Sequence, residues 1–254
     1  MDRSRVTATT ARNFVSASMR SQLYGLPQHV YSCLADRYWV FLDLKTDRYV
    51  CTERRYVDAL APWLYDYEPD IGYQTSEAPP EPTGTIISKF RSAGLLTTDA
   101  EGPKAFRATA ATRPSAALVP PQVRKLTTPV CATWFLLAAC EASFMLKRRS
   151  ILFTVSDVQR MRGEQLTQVA FDYDKARDLV MSFNRFRQLI PRSYLCLFDS
   201  LTLLKLLARY RLFPRWVFGV RGEPFEAHCW VQADDVVLND TVERVGTFTP
   251  IMVV

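Results

Sequence analysis

Three side chains in the last quarter of the chain could together cut or transfer an acyl group: Cys196, His228 and Asp240. A thiolate is a strong nucleophile, an imidazole can take its proton and hand it to a leaving amine, and a carboxylate can hold that imidazole in the required tautomer. Ser193 can cap a helix that starts close to Cys196, and the free N–H groups and dipole of a helix N-terminus favour thiolate over thiol. The competing reading makes Cys196 a small buried hydrophobe, the commoner fate of a cysteine on an apolar helix. The chain has only two histidines, His29 and His228. His29 lies far upstream, so Cys/His chemistry in the second half must use His228. A three-residue loop at Ala233-Asp234-Asp235 would pair Gln232 with Val236 and set His228 directly across from Asp240, on one face of two strands. Cys229 would then point to the opposite face as a core residue. Each of His228 and Asp240 taken alone reads as a structural histidine and a turn residue; their order after Cys196 is what favours the catalytic reading.

The elements that must position these groups read as helices followed by strands, an α+β arrangement. Pro129 opens a helix over about 129 to 149, with Thr128 as its cap and Lys147, Arg148 and Arg149 at its C-terminal end. Further helices are expected at about 151 to 162 and 173 to 189. The helix carrying Cys196 should run from Ser193 to about Tyr210, with Leu197, Leu201, Leu204 and Ala208 on one face. After Pro214, RWVFGVR, EAHCWVQ and VVLND read as three consecutive strands. Upstream, residues 29 to 52 show three short β-rich runs broken at Asp36 and at Lys45-Thr46-Asp47, the pattern of an antiparallel meander. A helical stretch follows to Tyr65, then an acidic, proline-containing loop over 66 to 82. A second helix lies in TIISKFRSAGLL (85 to 96), with Gly94 near its end. The basic, proline-containing stretch 102 to 128 reads as a linker. It divides a winged-helix-like module (1 to 101) from a second domain (129 to 254).

Composition sets the outer limits. A hydrophobic content of 48% with 23% charged residues is that of a folded chain. The formal net charge of +6 suits an acidic partner, whether peptide, nucleic acid or anionic surface. The six cysteines show no CxxC pair or regular framework, which speaks for reduced thiols in a cytoplasm and against a metal ribbon or a secreted disulfide scaffold. No apolar segment follows the basic N-terminus, so no secretory signal is expected. The apolar run from Val130 to Leu146 reads as a buried helix and not as a membrane span.

Three blocks in the second domain resemble the lasso-peptide B proteins, bacterial leader peptidases of transglutaminase-like fold, a layout shared with papain-like enzymes. They are CLxxSLxLxxLL at Cys196 to Leu207, GVRGEPFEAHCWV at Gly219 to Val231, and VLND at Val237 to Asp240. The resemblance implies that Cys196, His228 and Asp240 are nucleophile, base and orienting acid; Cys229 stands where the family often has alanine. The N-terminal module is similar to the precursor-recognition element of the same pathway. That implies leader-peptide binding by strand addition along Arg48, Tyr49, Val50 and Cys51, and against Ile86, Lys89 and Phe90. The implied partners are the leader of a ribosomal precursor and an asparagine-synthetase-like lasso cyclase. No cofactor motif and no metal set is present in the sequence, so any ATP requirement would lie with the cyclase. The alternatives are a transglutaminase using the same triad on an amine, and a noncatalytic winged-helix adaptor or DNA-binding protein. Lys89 and Arg91 are thin for a phosphate-contacting helix, which favours peptide over nucleic acid.

Overall fold

The computed structural model describes residues 23–67, 81–98, 104–106, 111–118, 129–163, 171–190 and 196–254. The expected caps Thr128 and Ser193, and most of the acidic loop, lie outside these residues. The meander forms as expected: β1 (Val30–Ala35), β2 (Tyr38–Asp43) and β3 (Arg48–Glu53) pair antiparallel in the order β1-β2-β3. Its two tight turns use Asp36 (φ 54°) and Asp47 (φ 53°) in the left-handed region, which a short polar side chain tolerates better than a bulky one. In the second turn the Asp43 carboxylate accepts from the Lys45 N–H at 2.8 Å and the Thr46 hydroxyl at 2.7 Å.

The chain forms two compact units, and their division differs from the one drawn at the proline-rich linker. One unit takes the residues up to Gln28 together with Arg55–Phe106; the other takes His29–Arg54 with Arg107–Val254. The meander and the helix of TIISKFRSAGLL, which a winged-helix module would combine, thus belong to different units.

The smaller unit contains most of α1 (Arg54–Asp58), a 3-10 turn at Ala61–Trp63 and α2 (Thr83–Ser92). Its apolar interior includes Leu26, Val57, Leu60, Leu64, Ile86, Leu95 and Phe106. The residue after the α2 C-cap is Gly94, at φ +71°, the left-handed position at which helices commonly end.

In the larger unit a five-stranded sheet, ordered β4-β7-β6-β5-β8, lies against helices. Its strands are β4 (Ala116–Ala117), β5 (Arg215–Arg221), β6 (Glu226–Ala233), β7 (Val236–Val237) and β8 (Thr249–Val253). Only β4 and β7 run parallel. The sequence reading found β5 and β6 and a longer β7, but missed β8, and β4 sits inside the stretch read as linker. Helices α3 (Pro129–Arg148), α4 (Ile151–Gly163), α5 (Tyr173–Arg187) and α6 (Cys196–Arg209) fall where periodicity placed them, and a short α7 (Val242–Val245) follows β7.

Helix α6 packs on β6 and against α3 and α5. It was expected to bury one face, yet every residue from Phe198 to Leu207 is buried. A helix buried on every side has no solvent face and belongs at the centre of a fold. Of its buried polar residues, Lys205 is held between Glu141 of α3 and Asp157 of α4, each at 2.7 Å, as a buried ammonium requires. Helix α3 is the one described helix long and apolar enough to cross a membrane. Phe135, Ala138 and Ala142 on its inner face join the core, while Leu136, Leu137 and Phe144 are exposed, so the expected burial applies to one face only.

The meander joins this unit through apolar packing and polar clamps. Cys33, Val40 and Leu42 share one buried cluster with Phe218, Val220 and Ile251. At the turns, the Asp36 carboxylate accepts from the N–H groups of Gly222 (2.9 Å) and Glu223 (3.2 Å), and Arg37 pairs with Glu223 at 2.9 Å. Gly222 permits this approach, because a Cβ there would lie 2.6 Å from the Ala35 carbonyl oxygen. Gly222→Ala is therefore expected to destabilise the protein by about 1–3 kcal/mol, the usual cost of forcing extra volume into packed structure. A urea titration would show the fall in midpoint; an unchanged midpoint would mean the contact is dispensable.

Candidate active site

Cys196 is the first described residue of α6. Cys196 lines one cleft with His228 and Cys229 of the first half of β6, and both of these residues act to lower its thiol. Cys229 is buried in the core, as expected, and its side chain also acts on the Cys196 thiol and donates weakly to Ser200 Oγ at 3.9 Å.

Asp240 reaches His228 by a route different from the one expected. The β6–β7 turn has two residues, Asp234 and Asp235, with Gln232 opposite Val237 and Ala233 opposite Val236. Asp234 adopts φ 49°, which an aspartate accepts in so tight a turn. This register is shifted by one from the expected pairing, and β7 ends at Val237, three residues short of Asp240. Asn239 bridges the gap. Its Oδ1 accepts the Val231 N–H at 2.8 Å, and its Nδ2 donates to Ser200 Oγ at 3.1 Å. The loop is thereby fastened to both β6 and α6, and Asp240 Oδ2 sits 2.6 Å from His228 Nε2. The sequence reading gives Asn239 no role of its own beyond its place in VLND. The asparagine in VLND could have signalled the tie, because a side-chain amide just past a short strand can satisfy backbone groups that the ladder no longer reaches.

With Nε2 held by Asp240 at 2.6 Å, Nδ1 is the ring nitrogen left to exchange a proton with the Cys196 thiol. Hydrogen bonding from Cys229 is the largest influence on the Cys196 thiol. Opposed by burial and aided by the His228 imidazole and the Cys229 backbone N–H, it brings the thiol down to about 4. Burial alone would lower the His228 imidazole, but hydrogen bonds to Asp240 and Cys196 outweigh it and raise the ring to about 9. Burial pushes Cys229 far above its ordinary value, and the negative sulfur beside it adds to that, so Cys229 remains a neutral donor. Asp240 is lowered despite burial by its hydrogen bonds to His228 and the Thr241 N–H. The lowered thiol and raised imidazole both favour a thiolate–imidazolium pair near neutral pH, the form in which cysteine attacks a carbonyl.

The sulfur borders a cleft of about 880 Å3 whose wall carries Arg177, Asn184, Arg187, Glu226, Asn239 and Arg244. Arg187 is paired with Asp199, which fixes that part of the wall. His29 is remote from this chemistry in role, paired with Asp43 at 3.6 Å. Of the residues expected to bind a leader, Arg48, Val50 and Cys51 are exposed on β3, and Tyr49 is half-buried. Ile86 fills the core of the smaller unit at 2% exposure and cannot face a ligand as it stands. Lys89 is paired with Glu81 at 2.7 Å, and Phe90 is half-buried.

A central helix bearing Cys196, packed on a strand bearing His228 and followed by a loop bearing Asp240, is an arrangement suited to cysteine acyl chemistry. Comparison of the sequence with family models agrees: residues 136–253 match the transglutaminase-like superfamily, whose members are typically cysteine-type enzymes. No curated protein and no solved structure matches the chain.

The contact between Asp240 and His228 leads to a direct expectation. Asp240→Ala should slow acyl chemistry by about 10^2- to 10^4-fold, since the imidazole loses its orienting partner. It should also move the His228 titration down from about 9. With only two histidines in the chain, ring NMR signals followed against pH would resolve the change, and a titration that stays in place would remove Asp240 from the site.

Proposed function

We propose that the protein is a leader peptidase of lasso-peptide biosynthesis, acting in a bacterial cytoplasm. It binds the leader of a ribosomal precursor and cuts between leader and core, so that an asparagine-synthetase-like cyclase can close a macrolactam on the freed amine. The observation that carries this reading is the joined Cys196, His228 and Asp240 set on an open cleft, within a transglutaminase-like domain. Support for leader capture comes from β3, which pairs only with β2 among the described strands and carries exposed Arg48, Val50 and Cys51. An extended peptide can add to such an edge.

In the reaction, the Cys196 thiolate attacks the scissile carbonyl, and the His228 imidazolium protonates the leaving amine as the thioester forms. The ring, now neutral and still held through Nε2 by Asp240, takes a proton from water as that water attacks the thioester and frees the leader. ATP enters through the cyclase and not through a group held by this chain. Mass spectrometry of the precursor incubated with protein, cyclase and ATP tests the reading: an intact leader and a shortened core support it. Isopeptide-linked products without leader release would make the protein an acyltransferase instead.

A further inference from the structure

A second space opens beside the reactive sulfur. It is a chamber of about 150 Å3 whose walls include Leu42, Leu44 and Tyr49 of the meander, Ile151 at the start of α4, Leu197 and Phe218. Cys196, Ala227, His228 and Cys229 border both this chamber and the large polar cleft. The thiol therefore stands where a polar channel meets an apolar recess. An unfilled recess among apolar side chains forfeits packing and weakens a fold. Its place beside the nucleophile gives it a use.

From the chamber's size, lining and position we infer that it is a specificity subsite, receiving an apolar side chain of the residue whose carbonyl Cys196 attacks. A space of this volume with aliphatic and aromatic walls accepts a group as large as benzene, hence the isobutyl group of leucine or the benzyl group of phenylalanine. Charged side chains are disfavoured, because the walls offer little to replace their water and Asp47 is the one carboxylate among the lining residues. The polar cleft is left for the extended backbone. The meander thus helps choose the substrate residue as well as completing the core, which accounts for its polar clamp onto the β5–β6 turn.

The inference rests on Cys196 being the nucleophile of the proposed function, and it can be tested without knowing the natural substrate. N-acetyl aminoacyl chloromethyl ketones alkylate a thiolate: the sulfur bonds to the methylene carbon and chloride leaves. Rates of Cys196 modification, located by peptide mass spectrometry, would be measured for the glycine, leucine, phenylalanine and lysine reagents. Each rate is divided by that of iodoacetamide on the same protein, which reports the thiol's own reactivity. The leucine and phenylalanine reagents are expected to exceed the glycine reagent by at least about 10-fold, in line with the burial of an apolar side chain, with lysine no faster than glycine. Ile151→Phe, which fills the recess, should bring the leucine-to-glycine ratio close to one. Equal wild-type rates for leucine and glycine, or preference for lysine, would overturn the subsite while leaving the nucleophile in place. Failure of every reagent to modify Cys196 would overturn both.

Discussion

Cys196→Ala is expected to abolish release of the leader, by at least about 10^4-fold, because removal of a covalent nucleophile leaves only what binding and positioning can supply. The substitution removes a sulfur at the start of α6 that is part-exposed to the cleft. The core residues Phe198 to Leu207 are untouched, so folding should survive. Capture of the leader should survive as well, since the proposed binding edge lies on β3. The informative comparison is mass spectrometry of the precursor with wild type and variant, together with leader affinity for each. A variant that cuts as well as wild type would make Cys196 structural and end the peptidase reading. A variant that neither cuts nor binds would point to a folding defect, and a thermal melt would identify it.

The second large effect is expected at His228. The thiolate–imidazolium pair forms as pH rises through about 4, where Cys196 ionises, and is lost as pH rises through about 9, where His228 gives up its proton. Cleavage by wild type should accordingly follow a bell between these limits. His228→Ala removes the base, the proton donor to the leaving amine and one of the hydrogen bonds that lower the thiol. Cleavage should fall by about 10^4-fold, on the scale of losing a triad member. The pH at which iodoacetamide begins to react with Cys196 should rise. It should not return all the way to that of an ordinary cysteine, since the Cys229 contacts, the largest of the lowering influences, remain. If the alkylation profile of His228→Ala overlays that of wild type, the imidazole does not act on the sulfur and the triad fails.

Two geometric features separate this site from a chance meeting of the three residue types. Asp240 is held by a loop with its own fastening, through Asn239, to both the nucleophile's helix and the imidazole's strand. Cys229 supplies a neutral donor from the interior, where burial keeps its proton in place. A carboxylate that fixes one ring nitrogen and donors that stabilise the sulfur anion are what a cysteine hydrolase needs before its substrate arrives.

Periodicity in the sequence determined the local parts of the protein. The three β-rich runs made a meander because aspartates at their breaks accept left-handed turns. Helices α3 to α6 fell within a few residues of their expected ends because proline, basic residues and apolar spacing act over one or two turns. The three catalytic candidates were legible for the same reason, as a nucleophile at a helix start and the chain's only downstream histidine, followed by an aspartate. Tertiary structure decided what depended on distant partners. Strand β8 exists because it completes the free edge of β5, and β4 because it lies beside β7; neither segment carries a local pattern of its own. The β6–β7 turn lost one residue from its expected length, which moved Asp240 out of the ladder and handed its placement to Asn239. Cys229 came to act on Cys196 because the N-terminal part of α6 packs on β6, a relation that strand alternation cannot express. The meander, read as part of an N-terminal module, instead shares a core with the cysteine domain, since the apolar face of a small sheet is satisfied by whichever surface fits it in space, near or far along the chain.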